Sequence, residues 1–253
     1  MKTIALINQK GGTGKSTSVV NIGVGLTKLN KRVLLIDMDI QGHVTVSLGV
    51  DSSQIKNTVY QLLSRQASLD DTMITLPRYD NKLSLIPADM SLAGVEQLDS
   101  DRREYLLRDI LVEQLKENFD YLIIDCPGGL STITLMALAT VREIYVPVLT
   151  EFLPIESLSD FIVVVNTTKE RLNKELNITG IIPVLFDKRK ILCRDVVASL
   201  NKSFGSKVFN TVIRSNVSVA EAPGYGKDIF TYKHKSNGAK DYMSLCKEII
   251  ERV

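Results

Sequence analysis

Residues Asn8 to Thr17 read Asn-Gln-Lys-Gly-Gly-Thr-Gly-Lys-Ser-Thr, and they constrain the fold more than any other stretch of the chain. The apolar run Ile4-Ala5-Leu6-Ile7 before them predicts a buried strand. After them, Val19, Ile22, Leu26 and Leu29 recur at helical spacing and predict one apolar helix face. A strand, a glycine turn and a helix opening at Lys-Ser form the context of a phosphate-binding loop. Gly11, Gly12, Thr13 and Gly14 leave backbone N–H groups free to wrap a polyphosphate, and the helix N-terminus adds partial positive charge. Lys15 is placed to reach the β- and γ-phosphates, Ser16 to ligate Mg²⁺, and Thr17 to extend the cradle.

One position departs from the common pattern. Gly-x-x-x-x-Gly-Lys-Ser requires glycine at position 9, where this chain has Gln9, and a second lysine, Lys10, stands inside the loop. Lys-Gly-Gly-x-x-Lys-Ser/Thr resembles the deviant Walker A motif of the ParA/MinD group of ATPases. The resemblance implies ATP and Mg²⁺ as cofactors. It also implies an ATP-dependent homodimer in which Lys10 reaches the nucleotide of the other subunit.

Apolar, β-rich runs alternate with helical patterns to the end of the chain. Strands are expected at 3–8, 32–36, 83–87, 121–124, 143–148, 178–185 and 207–212. Helices are expected at 15–29, 103–117, 131–139, 155–172, 192–204 and 238–252, with shorter ones at 58–63 and 90–98. Such alternation predicts an α/β, doubly wound, mostly parallel sheet of about seven strands with helices on both faces. Its ligand site lies at the carboxyl ends of the strands. No linker or repeat interrupts the pattern, so residues 1–253 are expected to form a single domain.

Two further carboxylate segments fit that site. The run Val33-Leu34-Leu35-Ile36 ends in Asp37-Met38-Asp39-Ile40-Gln41-Gly42, where a turn at Gly42 brings both aspartates to one place. Beside a phosphate loop such a group orients water or holds Mg²⁺. The segment is similar to the Asp-x-Asp-Pro-Gln-Gly of the ParA group, with Ile40 in place of proline. That match favours Asp39 as catalytic carboxylate and metal-site group, with Asp37 supporting it. The second segment, Tyr121-Leu122-Ile123-Ile124-Asp125, has the Walker B arrangement, an apolar strand delivering one carboxylate toward Mg²⁺. Gly128 replaces the second proline of the group's Asp-x-Pro-Pro. Thr150 to Leu158 resembles the group's Thr-Glu-x-x-x-x-Glu-Gly-Leu segment, making Glu151 and Glu156 dimer-interface candidates.

The last third carries a narrower resemblance. Phe186-Asp187-Lys188-Arg189, the run from Val212 to Lys227 and the run from Tyr232 to Ala239 look like the C-terminal blocks of Soj-type partition ATPases. The subgroup implies a base contact at Asn216, a ParB-like activator protein, and nonspecific double-stranded DNA as partner of the ATP-bound dimer. Lys188 to Lys247 holds twelve Lys/Arg against four Asp/Glu, in a chain whose total charge is only +2. Arg189, Arg194, Arg214, Lys233 and Lys235 are the DNA-binding candidates. The group often has Pro-Arg-Asn-Val-Arg, whereas this chain has Arg214-Ser215-Asn216-Val217-Ser218. Each lost cation weakens phosphate binding and flattens its salt dependence.

Other classes fare less well. No apolar run approaches the roughly 20 residues that span a bilayer. The last helix lacks the amphipathic tail of a MinD-like membrane switch, so no membrane partner is expected. A strand opens the chain where a leader peptide would stand, which predicts a cytoplasmic protein, nucleoid-associated when ATP-bound by the resemblance. Cys126, Cys193 and Cys246 are scattered, which excludes the cluster ligands of related P-loop reductases, and His43 and His234 have no clustered partner. The alternatives are a MinD-like or other cargo-positioning ATPase and a metabolic P-loop enzyme of the same fold.

Overall fold

The computed structural model describes residues 1–51, 53, 55–98, 100–115, 118–129, 131–151 and 155–252; of 112–114, 155–157, 159 and 160 it describes the backbone alone. Strands β1 (Lys2–Leu6), β2 (Val33–Asp37), β3 (Ile74–Thr75), β4 (Leu83–Ile86), β5 (Tyr121–Asp125), β6 (Glu143–Leu149), β7 (Asn177–Phe186) and β8 (Ile213–Arg214) form one sheet. Their spatial order is β3-β4-β2-β5-β1-β6-β7-β8. Every pairing is parallel except β3 against β4.

The helices are α1 (Lys15–Lys28), α2 (His43–Ser47), α3 (Val59–Leu63), α4 (Leu69–Thr72), α5 (Leu106–Gln114), α6 (Thr132–Thr140), α7 (Ile155–Arg171), α8 (Ile191–Phe204), α9 (Val217–Glu221), α10 (Ile229–Lys233) and α11 (Asn237–Glu251). Strand alternation sorts the core into two layers. Ala5, Ile7, Leu34, Ile36, Leu122 and Ile124 pack with residues of α3 and α5 to α8. Ile4, Leu6, Val33, Leu35, Tyr121 and Ile123 pack with residues of α1, α2, α10 and α11. The sheet is therefore covered on both sides, as a doubly wound fold requires.

Helix α1 is buried nearly all round because it lies between the sheet and α11. A Cβ at Gly25 would come within 2.5 Å of Cys246 Sγ on α11, so that close approach requires glycine.

The sheet has eight strands rather than the expected seven or so. The addition is the two-residue antiparallel β3, too short to produce an apolar alternation. The strand expected at 207–212 is displaced. Gly205–Lys207 is a 3₁₀ turn, Val208 makes an isolated bridge to Ile181, and β8 begins at Ile213. Helix α5 starts at Leu106 after a 3₁₀ turn at Arg103–Tyr105, and Met90–Gln97 is 3₁₀ rather than α-helical.

Candidate functional site

Parallel strands deliver their carboxyl ends to one edge of the molecule, and the chemistry predicted from sequence collects there. The loop after β1 turns through Gly12 and Gly14, both at φ 72°, a left-handed conformation costly for other residues. Asn8 braces it, its Nδ2 donating to the Pro147 carbonyl at 2.7 Å and its Oδ1 accepting the Lys10 N–H at 2.9 Å. Helix α1 then opens at Lys15. Its first free N–H groups face the loop, the arrangement that binds anions. Lys15 is buried, whereas Lys10 is exposed.

Asp125, at the end of β5, is fully buried. Its Oδ2 accepts the Ser16 hydroxyl at 2.6 Å, and its Oδ1 has no hydrogen-bond partner among the described residues. A buried carboxylate oxygen without a partner is costly unless a cation or water meets it. Such an orphan oxygen beside a serine hydroxyl and a phosphate loop fits Mg²⁺. That ion takes few protein ligands and completes its shell with phosphate oxygens and water. Among the described residues no cluster of three or more His, Cys, Asp or Glu could hold a metal ion by itself.

Asp37 has a different position from its neighbour. Also fully buried, it accepts the N–H groups of Val44 and Thr45 and the Thr45 hydroxyl on Oδ2, and the Asp39 N–H on Oδ1. Four donors occupy its carboxylate, so Asp37 holds the turn and α2 in place. Asp39 is only half-buried, with Oδ1 accepting the Gln41 N–H at 3.0 Å.

Burial raises Asp37 to about 6 despite those donors. Asp125 lies well above the usual carboxylate range, first through burial and then through the charge of Asp37, against the Ser16 hydroxyl and Lys15. The folded protein thus keeps protons that the unfolded chain releases. This contribution to stability is complete below the ordinary carboxylate range and is lost as pH rises through about 6. The nucleotide-free protein should therefore melt lower at about pH 7 than at about pH 5 through these groups. Asp125→Asn should reduce that dependence in thermal denaturation; an unchanged dependence would show that the pair does not control it.

A cavity of about 200 Å³ adjoins the phosphate loop, lined by Gly12, Thr13, Gly14 and Thr17 on one side and by Leu185, Arg214, Asn216 and Tyr242 among others. Asn216 also caps α9, its Oδ1 accepting the Ser218 N–H at 3.0 Å. Leu185 takes φ 55° where the β7–β8 register slips, which carries this bulky residue to the cavity wall.

The basic candidates divide into two sets. Arg194, Lys233 and Lys235 are exposed. Arg189 is exposed but bonded to Asp187, which it holds well below the usual carboxylate range. Arg214, also a DNA-binding candidate, is clamped to Asp241 on α11 and lines the cavity. Asp241 escaped the sequence reading because its partner lies 27 residues away. Glu151 pairs with Lys190 at 2.6 Å, and the Glu156 side chain lies outside the described residues.

Comparison with known proteins agrees with this geometry. A family described as an AAA domain matches residues 1–178. The chain is 38% identical over 253 residues to the chromosome-partitioning ATPase Soj of Treponema pallidum, covering 99% of this chain and 98% of that protein. It is 37% identical over 258 residues to the chromosome partitioning protein ParA of Caulobacter vibrioides, covering 100% and 95%. Among solved structures, a cobyrinic acid a,c-diamide synthase from Mycobacterium smegmatis with bound ADP and magnesium matches with a TM-score of 0.84 at 30% identity, over 99% of this chain and 94% of that one. The chain belongs to the Soj/ParA family of chromosome-partitioning ATPases.

Proposed function

We propose that the protein is an ATP-hydrolysing dimeric switch for the partition of plasmid or chromosomal DNA, acting as one ATPase domain across its length. The loop N–H groups and Lys15 hold the ATP phosphates, Thr13 and Thr17 extend the cradle, and Asn216 meets the base. Ser16 and Asp125 hold Mg²⁺, which neutralises phosphate charge, and Asp39 orients the attacking water. Two subunits close over their strand ends, and Lys10 of each reaches the phosphates of its partner. The ATP dimer binds duplex DNA without sequence preference through the C-terminal basic surface, and a ParB-like protein speeds hydrolysis and release.

The observation that carries the dimer reading is the character of the site's rim. Met90 after β4, Leu185 at the end of β7, Ile191 and Leu192 at the start of α8 and Val217 after β8 are large apolar side chains exposed at the strand ends. Exposed apolar surface gathered around a site supports association there. Lys10, exposed on the same edge, supplies the charge that would make closure depend on nucleotide.

ATPase rate and DNA retention, measured with ATP across a salt series, test the DNA arm. Binding should weaken steeply with salt, with a slope of about −0.9 per phosphate neutralised. No retention even at low salt would remove the DNA arm and leave the ATPase.

The likeness to the diamide synthase favours one second reading, an ATP-dependent amide-forming enzyme. Turnover that requires a carboxylic acid and an ammonia donor, and ignores DNA, would identify it.

A further inference from the structure

Two tyrosines stack on the surface of the C-terminal third. Tyr225 closes the 3₁₀ turn Ala222–Tyr225 that follows α9, and Tyr232 lies on α10. Their ring centroids are 5.2 Å apart, with 27° between the planes. Tyr225 is still 66% exposed.

The pair is held from behind. Gly226 turns at φ 60° against Gly49, just past α2, where a Cβ would come within 2.7 Å of the Gly49 Cα. That close approach fixes the turn ending in Tyr225. Asp228 caps α10, its Oδ1 accepting the N–H groups of Phe230 and Thr231 at 2.8 and 2.9 Å. Its Oδ2 accepts the Tyr79 hydroxyl at 2.9 Å. From Tyr225 to Lys240 the chain carries four exposed lysines, Lys227, Lys233, Lys235 and Lys240, and one acid, the buried Asp228. Glu221 is the exposed acid beside the rings, and it accepts the Tyr232 hydroxyl at 3.1 Å.

We propose that Tyr225, stacked on Tyr232 and flanked in sequence by Lys227, Lys233 and Lys235, is a base-stacking platform for single-stranded nucleic acid. The inference rests on the reading of the C-terminal basic surface as a nucleic-acid surface, and extends it.

A duplex bound without sequence preference offers phosphates, which lysines meet by themselves. Its bases already stack on one another, so an exposed ring finds no partner there. The bases of a single strand are free to leave their own stack and lie on an aromatic face. Every base has such a face, so the contact tolerates any sequence, and neighbouring cations hold the backbone. Tyr232 restrains the Tyr225 ring before a strand arrives, which lowers the ordering cost of binding.

The test is fluorescence anisotropy, with ATP and Mg²⁺, of labelled oligothymidine, which forms no duplex with itself, and of a labelled duplex of the same length. Wild type should bind both. Tyr225→Ala should weaken oligothymidine binding about 5- to 100-fold and leave duplex binding within about twofold. Tyr225→Phe should keep the affinity and Tyr225→Leu should lose it, because the ring rather than its bulk is required. The salt slope should stay the same in Tyr225→Ala, since no cation is removed. The chain has no tryptophan, so Tyr225→Trp places a single reporter at the platform. Its emission should be quenched by oligothymidine and not by the duplex. If Tyr225→Ala does not fold by circular dichroism, this reporter carries the test.

A wild type that binds the duplex but not oligothymidine overturns the platform alone. So does an unmoved affinity in folded Tyr225→Ala, a leucine variant equal to the phenylalanine one, or an unquenched reporter. An equal loss on the duplex also overturns it, making the ring part of a general duplex surface. A wild type that binds neither removes the DNA arm of the proposed function together with the platform.

Discussion

Lys10→Ala should abolish the ATP-dependent dimer while ATP binding persists. Lys10 is exposed, whereas Lys15 is buried against the phosphate cradle. In a two-fold dimer one substitution removes two charge contacts, one per subunit. Truncating a buried interfacial charge pair costs roughly 2–5 kcal/mol. Dimerisation should therefore weaken by about a thousandfold or more. Size-exclusion chromatography with light scattering, in ATP and in ADP, reads the dimer; calorimetry reads ATP affinity. A persistent ATP dimer would refute the role in trans. Loss of ATP affinity without the dimer defect would make Lys10 a ligand of its own subunit's nucleotide.

Asp39→Ala should give the opposite behaviour: the ATP dimer forms and accumulates because hydrolysis stalls. Positioned proton-transfer and water-orienting groups contribute about 100- to 10,000-fold, and single-turnover hydrolysis should slow by that order. The reasoning turns on what each aspartate has to spare. Asp37 has four donors on its carboxylate and cannot turn toward water without releasing α2. Asp39 is half-buried and its Oδ1 accepts the Gln41 N–H, a bond that anchors no helix, so its carboxylate can turn toward water. Unchanged single-turnover rates in Asp39→Ala would move the task to another group.

The phosphate loop was more legible in the sequence than the cavity beside it, for a physical reason. The loop from Asn8 to Thr17 is local: its glycines, lysines and flanking periodicities lie within one strand, turn and helix. Asp125 is likewise announced by the strand that ends in it. The division of labour between Asp37 and Asp39 was not visible, because it depends on which carboxylate the α2 N–H groups choose. The pairing of Arg214 with Asp241 was not visible for the same kind of reason. A cation on a short segment gives no sign of a carboxylate waiting on the last helix. β8 itself is two residues long, and its position follows from the slip in register against β7 rather than from its own composition.

The two border strands of the sheet, β3 and β8, are each only two residues long. A long open border strand is a template on which another chain can hydrogen-bond, and so a route to fibres and runaway assembly. Here each border presents almost no ladder to copy. Growth by adding strands sideways onto β3 or β8 is therefore disfavoured. For the nucleotide-driven dimer proposed above, short borders leave few lateral contacts that ATP turnover could not reverse.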